Sequence, residues 1–336
     1  MAHEAEQAPT CSNLGEVRII SGKPYRTGFV NASWGSLKPG ADALRRARRQ
    51  NVFTFARELY HYTSIDGLKG IIEENGLWAS DNRFMNDAEE NWNGIALARK
   101  VLQHKARRSR DAAFANILRS VDELIAKPKE YGHLVICFST APDDLGQWRG
   151  YAAGGVCLRL GQKAGDEAPL FFGPEHIPFE AMYKSLPKHV LLLSVIRDFE
   201  REYALDRAAM PVDWPDDHDE EYTSALHSKI SFSILGFKDE AFENEAEARI
   251  VLSYEEVRRY DGGLKFRVGP LGIIPYLRTG DNLAIKKHGG RLPLREVVVG
   301  PAPHQALIAQ SVETFMRQSG YLETIVSLSK VPYRMS

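Results

Sequence analysis

The stretch Leu59-Tyr60-His61-Tyr62-Thr63 carries a histidine and a hydroxyl at the end of a short apolar run, and a helical pattern begins directly after it. Ser64 is a favourable N-cap residue, and the apolar residues that follow recur at the spacing of one helical face. Gly76 is predicted to end this helix as its left-handed C′ residue. A second apolar run, Leu77 to Ser80, then predicts a strand. This strand–helix–strand order is a common frame for a small-molecule site, and we expect the rest of the chain to be organised around it.

Short apolar runs and helical patterns intermix along the rest of the chain. Helices are predicted at 89–127, 188–207, 222–236 and 304–319, and strands at 133–139, 156–160, 264–268, 272–277, 295–299 and 324–328. Because the order is not a strict βαβα alternation, we predict an α+β fold with a mixed, mostly antiparallel sheet flanked by helices. Residues 1–57 are predicted to be a partly disordered N-terminal extension. Residues 58–336 are predicted to form a single α+β domain with helical insertions at about 89–130 and 185–240.

The composition is that of an ordinary globular protein. The chain has 336 residues, 43% of them hydrophobic and 26% charged, and a formal net charge of −1. This balance creates no overall field that would favour nucleic acid or an acidic substrate. Its three cysteines have no CxxC spacing, which argues against a disulfide framework and a structural zinc site and fits a reducing compartment. Because there is no basic leader and no apolar run of membrane-spanning length, we expect a cytoplasmic protein without a membrane partner.

The common nucleotide-binding and hydrolase fingerprints are absent, since no GxGxxG, Walker loop, HExxH or GxSxG occurs. Cys137 lies inside an apolar run, which favours a buried inert thiol over a nucleophile. The charged run 213–221, with His218 in it, is predicted to be a solvated loop rather than a metal site. The basic run 45–49 is predicted to be a solvated helix face or linker, because it lacks the interleaved aromatics of a nucleic-acid arm. The basic run 105–110 is predicted to be a solvated end of a helix, near its C-terminus.

Three polar groupings stand beside predicted strands. The first joins the strand histidine and threonine to a loop rich in Asn, Asp, Arg and Glu. The second ends a polar loop predicted at 140–151. The third alternates at the head of a strand, so its charges would share one face if that strand begins at Glu245. Their members are His61, Thr63, Arg83, Asn86, Asp87 and Glu90, then Trp148, Arg149 and Tyr151, then Glu245, Glu247 and Arg249.

Together these residue types suit a nucleotide ligand. A histidine and a threonine can hydrogen-bond it, an aromatic ring can stack on it and an arginine can pair with its phosphates. A carboxylate that faces a ribose can bind a hydroxyl, stabilise a developing oxocarbenium charge or act as a base. The alternative is a structural network of buried ion pairs and helix caps.

Several motifs occur in a fixed order over about 59–334. They are Tyr60-His61-Tyr62-Thr63, Gly76-Leu-Trp-Ala-Ser80, Asn86-Asp87-x-x-Glu90, Cys137-Phe-Ser, Trp148-Arg-x-Tyr151, Phe242-x-x-Glu245-x-Glu247-x-Arg249, Gly300-Pro and Ser329-Lys-Val-Pro-Tyr333-Arg334. In this order they closely resemble a bacterial family of unknown function, numbered 2971 among such domains. That family carries no settled activity.

The layout also resembles, more distantly, DarT-like DNA ADP-ribosyltransferases and the ADP-ribosyltransferase fold. The resemblance implies that His61 and Thr63 bind NAD, that Arg83 activates the nicotinamide ribose or pairs with phosphate, and that Glu245 or Glu247 is the catalytic carboxylate. Asn86, Trp148, Arg149 and Tyr151 complete the predicted cofactor-binding set, and no metal ion is expected.

The chain departs from the DarT-like pattern in several ways. Its blocks are spaced more widely, and the insertion at 161–240 is large. Ala248 stands where that family usually has a tryptophan. The Trp148-Arg-x-Tyr151 motif has no obvious counterpart there.

The expected function is therefore an NAD-dependent ADP-ribosyltransferase, a toxin or phage-defence effector that modifies nucleic acid or protein. An effector of this kind can have an antitoxin or immunity protein as its partner. One alternative is a non-catalytic nucleotide-sensing or interaction module that uses the same polar groups. A third is a nucleic-acid hydrolase or phosphotransferase, although the chain lacks a metal motif and a nucleophile–base pair for that chemistry.

Overall fold

A computed structural model describes strands Val17–Ile20 and Lys23–Arg26 by their backbone, followed by residues 58–84, 88–127, 132–152, 154–161, 178–209, 217–288 and 290–332. Residues 88–91, 284, 287 and 288 are also described by their backbone alone. The two N-terminal strands, β1 and β2, pair antiparallel as a separate two-stranded sheet. The rest of the predicted N-terminal extension, with its predicted disorder, lies outside the described residues.

A ten-stranded sheet forms the centre of the fold. Its strands are β3 (Glu58–Thr63), β4 (Trp78–Asp81), β5 (Leu134–Ser139), β6 (Val156–Gly161), β7 (Phe179–Glu180), β8 (Glu247–Leu252), β9 (Lys265–Gly269), β10 (Gly272–Arg278), β11 (Leu294–Val299) and β12 (Ile325–Leu328). The main path runs β12-β11-β6-β3-β5-β4-β10-β9, and β8 pairs with both β5 and β7. Among these strands β11–β12 is the parallel pair, and the others are antiparallel. The predicted α+β class with a mostly antiparallel mixed sheet is confirmed.

Helices cover both faces of this sheet. They are α1 (Ile65–Glu73), α2 (Ala88–Arg108), α3 (Ala112–Ala126), α4 (Leu145–Tyr151), α5 (Ser185–Ala209), α6 (His218–Ile234), α7 (Leu283–His288) and α8 (Gln305–Gln318). On the first face, which carries Leu59, Leu134 and Leu158, helices α1 and α8 pack in one apolar cluster with the strands. On the second face, α2, α3, α5 and α6 share a core that includes Val135 and Val251. The two predicted helical insertions thus form a single layer above β5 and β8.

Helix α1 ends one residue earlier than the sequence predicts. Asn75, with φ 49°, is the left-handed C′ residue, and Gly76 is the residue after it. The Gly76 N–H donates to the Ile71 carbonyl at 3.0 Å and the Asn75 N–H to the Ile72 carbonyl at 3.2 Å, which is the Schellman pattern. Gly76 is required for a different reason, because a Cβ there would lie 2.4 Å from the backbone nitrogen of Gly280.

Two predicted loops are helical in part. The loop predicted at 140–151 contains α4, whose N-cap Asp144 accepts a hydrogen bond from the Gln147 N–H. His218 was predicted to lie in a solvated loop, but it is the first residue of α6 and is buried. Its Nδ1 lies 3.1 Å from Glu221 Oε2, three residues later in the same helix. A polar N-terminal turn that packs onto a neighbouring helix has the same composition as a loop, so sequence pattern alone did not separate the two.

Candidate functional site

An opening in the sheet separates β3 from β4. Strand β8 occupies one edge of β5 from Leu134 to Ser139, so β3 and β4 share the other edge. They meet it at opposite ends, because β3 pairs at Ser139 through Tyr60, whereas β4 pairs at Leu134 and Val135. We call the opening between β3 and β4, along residues 136–138 of β5, the fork.

His61 lies in the fork. Its Nδ1 is 3.2 Å from the carbonyl oxygen of Cys137, and its ring meets Phe138 edge-on. A carbonyl oxygen only accepts hydrogen bonds, so Nδ1 must carry the proton and Nε2 of the neutral ring keeps its lone pair. Burial lowers the pKa of His61, which favours that neutral form. Nε2 has no hydrogen-bond partner among the described residues.

Solvent reaches the fork. Cys137 is the one residue of β5 that is not fully buried, and His61 is only partly buried although β3 is a central strand. Thr63 is also partly exposed and, two residues along β3, lies on the same face as His61. Its Oγ1 lies against α1, since a Cβ on Gly67 would come within 2.0 Å of it. The structure therefore brings the predicted histidine and threonine together on the first face.

On the second face, a lysine joins the two candidate catalytic glutamates. Lys238 Nζ lies 2.7 Å from Glu245 Oε2 and 2.7 Å from Glu247 Oε2. Arg249 binds Glu247 through two bonds, Nε to Oε1 at 2.7 Å and Nη2 to Oε2 at 2.9 Å. Strand β8 begins at Glu247 and not at Glu245, because Ala246 adopts a left-handed conformation with φ 44°. Glu245 instead ends the 3-10 helix Glu240–Glu245 and reaches the cluster from there.

The two glutamates differ in exposure and in charge environment. The Glu245 side chain is 25% exposed and that of Glu247 is 6% exposed. Desolvation acts to raise the pKa of Glu247, but Arg249 and then Lys238 outweigh it and lower that pKa to about 2. Glu247 is thus ionised at neutral pH with both oxygens bound, and Glu245 is the carboxylate that a ligand can reach.

Two exposed aromatic rings border Glu245. The Tyr151 hydroxyl donates to Glu245 Oε1 at 3.4 Å, and Phe242 lies three residues before Glu245, on the same side of the 3-10 helix. Tyr151 is 56% exposed and Phe242 is 43% exposed. The backbone beneath them is fixed, since the Glu245 carbonyl accepts from Ser139 Oγ at 2.8 Å and from Gln147 Nε2 at 3.1 Å.

Trp148 does not have the predicted role of a stacking surface. Its ring is 1% exposed and meets Tyr62 edge-on, with centroids 4.9 Å apart. Its Nε1 donates to Asp143 Oδ1 at 2.8 Å. Trp148 is therefore a core residue that seats α4 on β3, whereas Arg149, the next residue, is exposed. Consecutive residues of a helix point in directions about 100° apart, so the Trp148 side chain faces the sheet while that of Arg149 faces solvent.

Arg83 lies at the far end of β5 from the glutamates. It follows Asp81, which pairs with Leu134, whereas Glu247 pairs with Ser139. These ends are about 17 Å apart at ~3.3 Å per residue. Arg83 Nη2 binds Asp81 Oδ2 at 2.8 Å, so the structure gives it a local carboxylate partner and does not bring it to Glu245 or Glu247.

Some of the predicted site residues lie outside the described part of the chain. Asn86 and Asp87 are not described, and the same is true of the side chain of Glu90. Lys238 is the site residue that sequence reasoning missed. The sequence did contain a signal for it. Two glutamates on or beside a buried strand carry two negative charges, and one arginine balances only one of them, so a second cation was to be expected nearby.

Comparison with known proteins gives no relative, since no family model, curated protein or solved structure matches the chain. The two family resemblances therefore stay predictions. No helix in the described ranges is long and apolar enough to cross a membrane. Nor do the described residues contain a group of three or more His, Cys, Asp or Glu side chains that could hold a metal ion.

Proposed function

We propose that the chain is an NAD-dependent ADP-ribosyltransferase that binds NAD at the fork and uses Glu245 as its reacting carboxylate. The supporting observation is that a neutral, solvent-accessible imidazole and a reachable carboxylate stand at the same end of β5. His61 is one residue beyond Tyr60, the partner of Ser139, and Glu247 pairs with Ser139 on the other side. The two groups lie on opposite faces of the sheet, beside the end of β5 at which Tyr60 pairs with Ser139.

In this reaction the bond between the nicotinamide nitrogen and the ribose breaks, and its electron pair leaves with nicotinamide. The ribose carbon becomes cationic, and the acceptor atom then attacks it and releases its proton. Glu245 would stabilise the cationic carbon. His61 Nε2, as an acceptor, would bind a ribose hydroxyl, because Nδ1 already donates to Cys137.

The charge pattern favours Glu245 over Glu247 for this role. A carboxylate stabilises a developing positive charge only to the extent that no fixed cation already neutralises it. Arg249 engages both oxygens of Glu247. Glu245 shares one oxygen with Lys238, and its other oxygen accepts from the Tyr151 hydroxyl, with no cation beside that oxygen among the described residues.

The basic run 105–110 lies away from this site. Gly94 of α2 packs against Ile234 and Phe237, next to Lys238. Arg107 is thirteen residues further along the helix, which is about 20 Å at 1.5 Å per residue. A nucleic-acid acceptor would therefore have to bind without this run. The run 45–49 lies outside the described residues.

The test is release of nicotinamide from labelled NAD, with and without nucleic acid and protein acceptors. We expect Glu245→Gln to reduce the rate about 100-fold or more, in the range found when one charge-stabilising group is removed from an active site. The matched control is Glu243→Gln, an exposed carboxylate in the same 3-10 helix that pairs with Lys184. Equal loss in both variants, or no NAD consumption by the unaltered chain, would count against the proposal.

A non-catalytic nucleotide-sensing or interaction module is the second candidate, and Lys238 is the observation that favours it. A lysine 2.7 Å from both carboxylates opposes the growth of positive charge beside them. This module would bind NAD or another nucleotide without turnover. Calorimetric binding that Glu245→Gln leaves unchanged, with no nicotinamide released, would select it.

A further inference from the structure

Three sequence motifs that lie far apart in the chain meet around the Trp148 ring. The ring itself belongs to the Trp148-Arg-x-Tyr151 motif. A Cβ on Gly300, of the Gly300-Pro motif, would lie 2.8 Å from a ring carbon, so the ring packs directly against that backbone. Val331, from the motif that begins at Ser329, packs on the same apolar cluster as Trp148. The segment after β12 is therefore part of the surface on which α4 lies.

Asp143 joins this segment to α4. Its Oδ1 accepts from Trp148 Nε1 at 2.8 Å and from Ser329 Oγ at 2.5 Å, and its Oδ2 accepts from the Lys330 N–H at 2.9 Å. Hydrogen bonds to a carboxylate are stronger than bonds between neutral groups. Asp143 adopts φ 50°, a left-handed conformation in which aspartate is enriched. We call Asp143, Ser329 and Lys330 the clasp.

Helix α4 carries two side chains that contact Glu245. Gln147 Nε2 donates to the Glu245 carbonyl oxygen at 3.1 Å, and the Tyr151 hydroxyl donates to Glu245 Oε1 at 3.4 Å. These two residues are four apart and so lie on one face of the helix. Trp148 faces the sheet. A hydrogen bond that fixes the Trp148 indole therefore fixes the rotation of α4 about its axis, and with it both contacts to Glu245.

The loop that begins α4 is also bonded to the strand that carries His61. The Asp144 N–H donates to the Tyr62 hydroxyl at 2.9 Å, and that hydroxyl donates to the Ala141 carbonyl at 2.9 Å. Tyr62 is the residue after His61 in β3. Helix α4 and its loop therefore contact both of the elements that carry the proposed reacting groups.

We propose that Asp143 is a positioning residue. Through Trp148 and the clasp it holds α4 in the orientation that places Gln147 and Tyr151 on Glu245. This inference rests on the proposed function, because that function makes Glu245 the reacting carboxylate. Glu245 acts on a positive charge that develops only in the transition state, so a misplaced Glu245 lowers kcat and leaves the KM for NAD nearly unchanged.

The kinetic test measures nicotinamide release by clasp variants. Asp143→Asn keeps one carbonyl oxygen but turns an NH₂ group toward the Lys330 N–H, and we expect kcat to fall about tenfold. The KM for NAD should stay within about twofold. Ser329→Ala should act in the same direction, and Ser329→Thr, which keeps the hydroxyl, should restore kcat. The matched control is Ser327→Ala, which removes a 2.6 Å serine–carboxylate bond to Glu296 that does not involve α4, and it should leave kcat unchanged.

A double variant separates positioning from a general loss of stability. If Asp143 acts through α4, its effect and that of Tyr151→Phe are not independent. We therefore expect Asp143→Asn combined with Tyr151→Phe to have nearly the kcat of the weaker single variant. Effects that multiply, at a temperature where circular dichroism shows every variant folded, would overturn the proposal.

Hydrogen exchange of the α4 amides gives a readout that needs no turnover. We expect exchange to be about tenfold faster in Asp143→Asn, because the clasp bonds oppose local opening, and unchanged in Ser327→Ala. Unchanged α4 exchange in Asp143→Asn would overturn the proposal. So would an unaltered kcat in Asp143→Asn, with the unaltered chain active. If the unaltered chain releases no nicotinamide, the proposed function itself fails, and the role of Asp143 in it fails with it.

Discussion

Lys238 holds Glu245 and Glu247 at the same distance, with its Nζ 2.7 Å from one oxygen of each. Its own side chain is 2% exposed, so the lysine is the buried centre of a cluster of two carboxylates and two cations. A buried charge whose partner is removed costs far more than an exposed one. The stability of this end of the sheet should therefore depend on Lys238.

We predict that Lys238→Met lowers the free energy of unfolding by about 3 kcal/mol, because it leaves two carboxylates facing each other without a shared cation. Urea denaturation measures the change. The chain offers a matched control in Lys184, which also lies 2.7 Å from two carboxylates, Glu240 and Glu243, but at the surface. Lys184→Met should leave the unfolding midpoint almost unchanged, and equal losses in the two variants would show that burial is not the cause.

Glu247 should make the fold sensitive to acid. Its pKa is lowered from 4.5 to about 2 in the folded chain, so its stabilisation is fully present above pH 4.5 and is lost as the pH falls toward 2. The shift corresponds to about 3 kcal/mol. We expect the pH slope of unfolding free energy between 4.5 and 2 to flatten in Glu247→Gln and to persist in Glu243→Gln. An unchanged slope in Glu247→Gln would contradict the assignment.

His61 should be neutral at pH 7 with its proton on Nδ1. Burial lowers its pKa, and the Cys137 carbonyl accepts from Nδ1. Because the folded pKa lies below the unfolded value, this group contributes its full stability above the unfolded pKa and loses it as the pH falls through the folded one. Nitrogen-15 chemical shifts of the imidazole report both the tautomer and the titration. An imidazolium at pH 7, or a proton on Nε2, would remove the acceptor that the proposed site needs.

One glycine within α1 and one just after it should give opposite changes in stability when each is replaced by alanine. Gly70→Ala places a Cβ with nothing within 4 Å, so it should stabilise the helix by about 0.5–1 kcal/mol. Gly76→Ala places a Cβ 2.4 Å from the Gly280 nitrogen, so it should destabilise the chain by about 2 kcal/mol. Thermal unfolding compares the two. A loss in both would mean that α1 tolerates no added methyl group and that the contact with Gly280 is not special.

The regular elements could be predicted because their signals are local. Helix α8 begins one residue after His304, where the pattern placed it, and ends before Gly320, whose φ is 81°. Where two backbone conformations of a short segment are close in energy, the predicted boundary was wrong by one residue. Asn75 took the left-handed position instead of Gly76, because Gly76 was needed for the close approach of Gly280.

The site depends on contacts between residues that are far apart in the chain, and the sequence pattern does not contain those contacts. Glu245 and Glu247 were expected to share a strand face, but they meet through Lys238 and a break at Ala246. The fork arises because β3 and β4 pair with opposite ends of β5. Pairing between strands that are far apart in the sequence cannot be derived from hydrophobic periodicity or strand propensity. Burial of Trp148 likewise follows from the α4–β3 contact and not from its own motif.

A single residue pair, Tyr60 with Ser139, joins β3 to β5, whereas β3 pairs with β6 along its whole length and β8 pairs with β5 along its whole length. The ten strands are therefore two half-sheets connected by one rung. The two half-sheets are joined mainly by side chains, because Leu59 and Leu158 of one half pack with Leu134 and Ile136 of the other in one apolar cluster. The junction beside His61 is therefore stabilised by apolar burial more than by strand pairing.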